Sequence, residues 1–125
     1  MFMDSIDLAE LAAEACDDRK AKNIQLIDIT EVSSLCEWLV ITEGLSDLQV
    51  RAIIKSVEDK LKDVAKRLPL RKEGIDDAKW SLLDYGEVII HVFQPSLRKF
   101  YELEAFWSNG KTRKYSPTSN TNLLL

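Results

Sequence analysis

The stretch from Trp80 to Phe93 constrains the fold more than any other part of the chain. Two apolar runs, 80–83 and 88–93, flank Asp84-Tyr85-Gly86-Glu87, a pattern that predicts a β-hairpin. Gly86 supplies the positive φ that a tight hairpin turn demands. With Tyr85 and Gly86 as a two-residue turn, Asp84 faces Glu87, Leu82 faces Ile89 and Trp80 faces His91. One side of the ribbon then carries Trp80, Leu82, Asp84, Glu87, Ile89, His91 and Phe93; the other carries Ser81, Leu83, Val88, Ile90 and Val92. The second set is nearly all apolar and is expected to meet the core. The first mixes rings, aliphatics, acids and the single histidine of the chain. Such a mixture suits a surface that a partner covers, because aromatic residues carry much of the energy at interfaces. The residues alone leave a second arrangement open, in which helices cover both sides and Trp80 is core.

After Pro95 the apolar period changes from two to about 3.6. Leu97, Phe100, Tyr101, Glu104 and Trp107 share a stripe, and Asn109-Gly110 marks a helix end. The segment 111–125 has no period and reads as a flexible tail behind a domain spanning 1–110, with its terminal leucines available to dock.

The first half is equally structured. Asp4 or Ser5 caps an opening helix with Leu8, Leu11, Ala12 and Ala15 on one face. Ile24 to Ile29 predicts a strand, Thr30 to Glu37 a break, and Trp38 to Thr42 a strand apolar enough to be covered on both sides. Ser46 and Gln49 form a capping box for a long helix whose stripe runs through Val50, Ile53, Ile54, Val57, Leu61, Val64, Ala65 and Leu68. Pro69 is expected to end it. Leu70 to Ala78 reads as a polar loop with a turn at Gly74, and Arg71-Lys72 as a small basic spot. The order α-β-β-α-loop-β-β-α predicts a single α/β or α+β domain with a mixed sheet flanked by helices.

A length of 125 residues suits one domain with a genuine core, and the net charge of −4 gives no field that would attract nucleic acid. Cys16 and Cys36 lack metal-ligand spacing. No apolar run approaches a membrane span, no signal peptide is evident at the N-terminus, and a cytoplasmic location is expected. Asp84 and Glu87 are the nearest approach to a paired-carboxylate site, but acids beside a turn are favoured for local hydrogen bonds. A single histidine makes no His-rich metal site. Gly44-Leu45-Ser46 precedes a helix without either phosphate-loop pattern. No catalytic, metal or cofactor site is therefore expected. An alternative is a diverged nucleotidyltransferase-like enzyme using Gly44, Ser46, Asp84 and His91; a further one is a homodimer paired through the exposed sheet face.

The residues Trp80-x-x-x-Asp84-x-Gly86-x-Val88-x-x-His91-Val92-Phe93 and Arg98-x-Phe100-Tyr101-x-Leu103-Glu104-x-x-Trp107 resemble the ribosomal silencing factor family, RsfS or Iojap-related proteins. Leu26-x-x-Ile29, Leu39-Val40-Ile41-Thr42-x-Gly44-x-Ser46 and Glu73-Gly74 fit the same family, with Glu43 departing from its usual small residue or threonine. The resemblance implies a nucleotidyltransferase-like fold without the catalytic acids. It also implies a translational repressor that binds the large ribosomal subunit through protein uL-fourteen and blocks joining of the small subunit when nutrients are scarce. On this reading Trp80, Leu82, Asp84, Tyr85, His91, Phe93, Arg98 and Tyr101 form the partner surface. No cofactor, membrane or direct nucleic-acid contact is implied.

Overall fold

The computed structural model describes residues 3–97 and 111–115. Helix α1 (Ser5–Asp18) and strands β1 (Lys22–Asp28) and β2 (Trp38–Glu43) precede helix α2 (Asp47–Ala65). Strands β3 (Arg71–Glu73), β4 (Trp80–Asp84), β5 (Val88–Phe93) and β6 (Lys111–Lys114) follow. The strands form one six-stranded mixed sheet in the order β3-β4-β5-β2-β1-β6. Every neighbouring pair is antiparallel except β2 and β5, which run parallel at the centre. The expected mixed sheet with flanking helices is thus the architecture found.

Both long helices lie on one side of the sheet, with α1 over β1 and β2 and α2 over β4 and β5. Their apolar stripes meet Leu26, Val40, Leu83, Val88, Ile90 and Val92 in the main core. Ala9, Ala12 and Ala13 of α1 are fully buried, so a small-residue face brings this helix close to its neighbours. Ser56 of α2 donates to the carbonyl of Ala15 at 2.7 Å, and Gln49 donates to the carbonyls of Arg19 and Lys20. Ser46 caps α2 as its spacing implies, accepting from the Gln49 N–H at 3.1 Å. The Gln49 side chain answers by accepting from the N–H of Leu45 rather than of Ser46. Gly44 is needed here because a Cβ would sit 2.9 Å from Val50 Cγ2 and 3.1 Å from the Val50 nitrogen.

The structure corrects three boundaries. Helix α2 stops at Ala65, before Pro69 is reached. Lys66 takes a left-handed conformation, and the N–H groups of Lys66 and Arg67 both return to the Leu61 carbonyl. Within the expected loop, Arg71–Glu73 forms β3 against β4. Within the expected tail, Lys111–Lys114 forms β6 against β1, and Tyr115 packs at the rim of the core. Both are short edge strands rich in charge, a composition that protects a sheet edge from pairing with other chains and that carries no apolar alternation to read. Of the expected last helix, residues 95–97 are helical; its remainder lies outside the described residues.

The other side of the sheet carries a second, smaller cluster of Ile27, Ile29, Leu39, Ile41 and Phe93, on which Cys36 and Leu97 pack. Cys16 belongs to the main core and Cys36 to this one, both as free thiols on opposite sides of the sheet. Burial pushes Cys16 up to about 12 and Cys36 up to about 11, so neither is a reactive thiolate.

Two glycines define the loops around the hairpin. Gly74 has a φ of +71°, and a Cβ there would lie 2.0 Å from the Trp80 carbonyl oxygen. Gly86 has a φ of +94° with ordinary room around it. Urea titration should therefore separate the two: Gly74→Ala should cost more than about 2 kcal/mol, and Gly86→Ala on the order of 1 kcal/mol.

Candidate functional site

The hairpin forms, but two residues further along than a Tyr85-Gly86 turn requires. Trp80 pairs with Phe93, Leu82 with His91 and Asp84 with Ile89. Tyr85 donates its N–H to the Val88 carbonyl, which leaves Gly86 and Glu87 as the turn. The Asp84 carboxylate fixes this choice by accepting from the Gly86 N–H at 2.8 Å. A shift of two residues preserves which side each residue faces. Trp80, Leu82, Asp84, Ile89, His91 and Phe93 therefore share one side, as expected.

Tyr85 does not. It lies on the helix side, 1% exposed within the main core. As a turn residue it was expected at the surface; as the last member of the ladder it alternates inward with Leu83. His91 and Phe93 are on the expected side but are themselves buried, at 8% and 0% exposure. The side is graded: its centre along β2 and most of β5 is closed, and its margin, with Trp80, Leu82 and Asp84 of β4 and Ile89 of β5, is half-open. Arg98 and Tyr101 lie outside the described residues.

The closed part supports the open part. Trp80 stacks on Phe93 with centroids 4.9 Å apart, and His91 stacks on Phe93 at 6.0 Å. The Trp80 indole N–H donates to His91 Nδ1 at 3.0 Å. An indole nitrogen only donates, so Nδ1 carries no proton and the imidazole is the neutral form with hydrogen on Nε2. Burial pushes His91 down to about 4, with Asp84 pulling weakly the other way. The histidine is a fixed acceptor that orients Trp80.

Asp84 and Glu87 are separate groups with separate partners. Glu87 makes a two-pronged ion pair with Arg67 at 2.7 and 2.9 Å, and Arg67 also donates to the Tyr85 carbonyl. The bonds from Arg67 hold the Glu87 carboxyl below its ordinary range. Asp84 receives Arg71 Nε at 3.1 Å, and Arg71 also pairs with Glu73. Lys72 pairs with Glu58 at 3.2 Å. Both cations of the small basic spot are thereby paired with acids. The bond from Arg67 to the turn, and the turn glutamate it holds, had no sequence signal, because Arg67 reads as part of a helix that in fact ends before it.

The alternative catalytic set does not converge. Gly44 bonds the Phe93 carbonyl at one end of β5, whereas Asp84 pairs with Ile89 near the other, roughly 13 Å away along the strand. Ser46 Oγ is engaged as the helix cap, and His91 accepts from Trp80. No group of three metal-ligating side chains occurs among the described residues, and no helix there is long and apolar enough to cross a membrane.

The geometry thus defines a class: a small α+β domain with helices on one side of a mixed sheet and a half-open aromatic margin on the other. The family described as "Ribosomal silencing factor during starvation" matches residues 3–122. The RsfS protein of Bacillus subtilis (strain 168) is 35% identical over 108 residues, which cover 86% of this chain and 91% of that one. A crystal structure of a Chromobacterium violaceum protein superposes with a TM-score of 0.82 at 34% identity, over 92% of this chain and 95% of the other. A second crystal structure, from Bacillus halodurans, gives 0.76 at 31% identity, over 88% and 99%. The chain belongs to the RsfS family of ribosomal silencing factors.

His91 provides a direct check. Its ring should stay neutral on lowering the pH from 8 to 5, seen as invariant imidazole shifts by NMR. The unfolded chain takes up that proton near pH 6.5 whereas the folded one waits until about 4. Stability from this group should therefore be complete above pH 6.5 and decline between 6.5 and 4, and His91→Gln should flatten that decline.

Proposed function

We propose that this protein lowers translation by occupying the large ribosomal subunit at protein uL-fourteen, where its bulk prevents the small subunit from joining. Family membership gives the ribosomal setting. The half-open margin at Trp80, Leu82, Asp84 and Ile89 carries the reading of how contact is made. Trp80 is pre-oriented by His91 and Phe93, which lowers the entropy lost when it is immobilised in a complex. Asp84 and Glu73, with Arg71 between them, place carboxylates beside the rings, and a net charge of −4 favours approach to a basic ribosomal protein.

On this reading His91 and Phe93 support the contact from beneath, and Tyr85 anchors the hairpin from within. Arg98 and Tyr101 belong to the same proposed surface. Occlusion requires a footprint of ordinary interface size and no bond-making step. This agrees with a nucleotidyltransferase-like scaffold whose Gly44, Ser46, Asp84 and His91 are each engaged structurally.

Leu82→Lys tests the surface with little risk to the core, since Leu82 is half-exposed. Co-sedimentation with isolated large subunits should weaken at least about 10-fold, which corresponds to roughly 1.4 kcal/mol. Unchanged sedimentation by a folded Leu82→Lys protein would rule this margin out.

A further inference from the structure

The apolar stripe of the second helix continues in the sequence to Leu68, yet the core uses it only as far as Ala65. The chain reverses at Lys66 and leaves Val64, Leu68 and Leu70 at 55%, 66% and 74% exposure. Three large apolar side chains on the surface within seven residues are unusual for a domain that stands alone. They are not a helix-end contact, because Leu61 and Ala65 already close that end against the core. Pro69 stiffens the segment between the two leucines.

The position of this patch relates it to the margin described above. The Leu70 N–H bonds the Asp84 carbonyl at 2.7 Å, and a Cβ on Gly86 would touch Leu70 Cδ1 at 3.4 Å. Leu70 therefore lies at the tip of the same hairpin that carries Trp80, Leu82 and Asp84, with Leu68 two residues before it. Three of the cations around them are paired, Arg67 with Glu87, Arg71 with Asp84 and Glu73, and Lys72 with Glu58, while Lys66 donates to the Asp63 carbonyl. With Arg67, Arg71 and Lys72 already paired and three large apolar side chains exposed, the patch offers more to an apolar protein surface than to a phosphate backbone.

We propose that Val64, Leu68 and Leu70 form a second, apolar anchor for the same large-subunit protein that covers the Trp80–Leu82 margin, so that the partner grips the hairpin around its tip. The inference rests on the docking reading above and adds to it the chemistry of the partner: an apolar strip adjoining a basic one.

The test compares three folded proteins in quantitative co-sedimentation with isolated large subunits: a Leu68→Ser/Leu70→Ser double variant, a Leu45→Ser/Leu48→Ser double variant and Leu82→Lys. Leu45 and Leu48 are as exposed, at 64% and 78%, but sit at the opposite end of the second helix. The Leu68/Leu70 variant should bind at least 10-fold more weakly with an unchanged melting temperature, while the Leu45/Leu48 variant binds as the parent does. Full binding by the Leu68/Leu70 variant, alongside loss in Leu82→Lys, overturns the anchor and leaves the docking reading standing. Equal losses in both leucine pairs overturn it as general stickiness. A parent protein that does not sediment with large subunits removes the docking reading, and the anchor with it. Light scattering adds one arm: a free protein that is dimeric until Leu68 and Leu70 are replaced assigns the patch to a second copy and overturns the proposal.

Discussion

The parallel register of β2 against β5 is the constraint on which the rest of the structure depends. It joins two antiparallel ribbons, β6-β1-β2 and β3-β4-β5, into one sheet. Parallel neighbours cannot be linked by a tight turn, so α2 must cross over and return the chain on the helix side. That crossing buries Val40, Ile90 and Val92 under the helices and leaves Leu39, Ile41 and Phe93 on the reverse. The backbone reinforces both ends of the seam. Glu37 and Trp38 donate to the Glu87 carbonyl at one end, and Gly44 donates to the Phe93 carbonyl at the other.

The half-open margin is a consequence of the same arrangement. With both long helices committed to one side, the reverse side grades from a closed centre to a half-open edge. Aromatic stacking and one indole–imidazole bond fix the rings at that edge. Ion pairs from Arg67 and Arg71 fix the hairpin tip beside it. What the partner would meet is a rigid surface, and rigidity is what a blocking factor needs.

The residues told much of this, for reasons that can be separated. The hairpin was legible because apolar alternation survives an error of two in the register: parity assigns the sides, and the ladder assigns only the pairs. Tyr85 was misplaced because side-chain chemistry, the Asp84 bond to Gly86, chose the turn one residue later than glycine preference did. His91 and Phe93 had the right side and the wrong depth, since depth depends on how far each strand lies from the open edge. The strands at 71–73 and 111–114 left no trace because edge strands are selected for charge and shortness. The early end of α2 was hidden because Lys66, a poor choice for a left-handed cap, takes that role instead of a glycine. Val64 and Leu68 then read as core when they are surface.

The account's central claim is that the Trp80–Leu82 margin is covered when the protein sits on the large subunit. Hydroxyl-radical footprinting, read by mass spectrometry on free and subunit-bound protein, tests it directly. Oxidation at Trp80 and Leu82 should fall several-fold on binding while Leu45 and Leu48 stay as reactive as before. Equal oxidation of Trp80 and Leu82 in the free and fully bound states would contradict the claim.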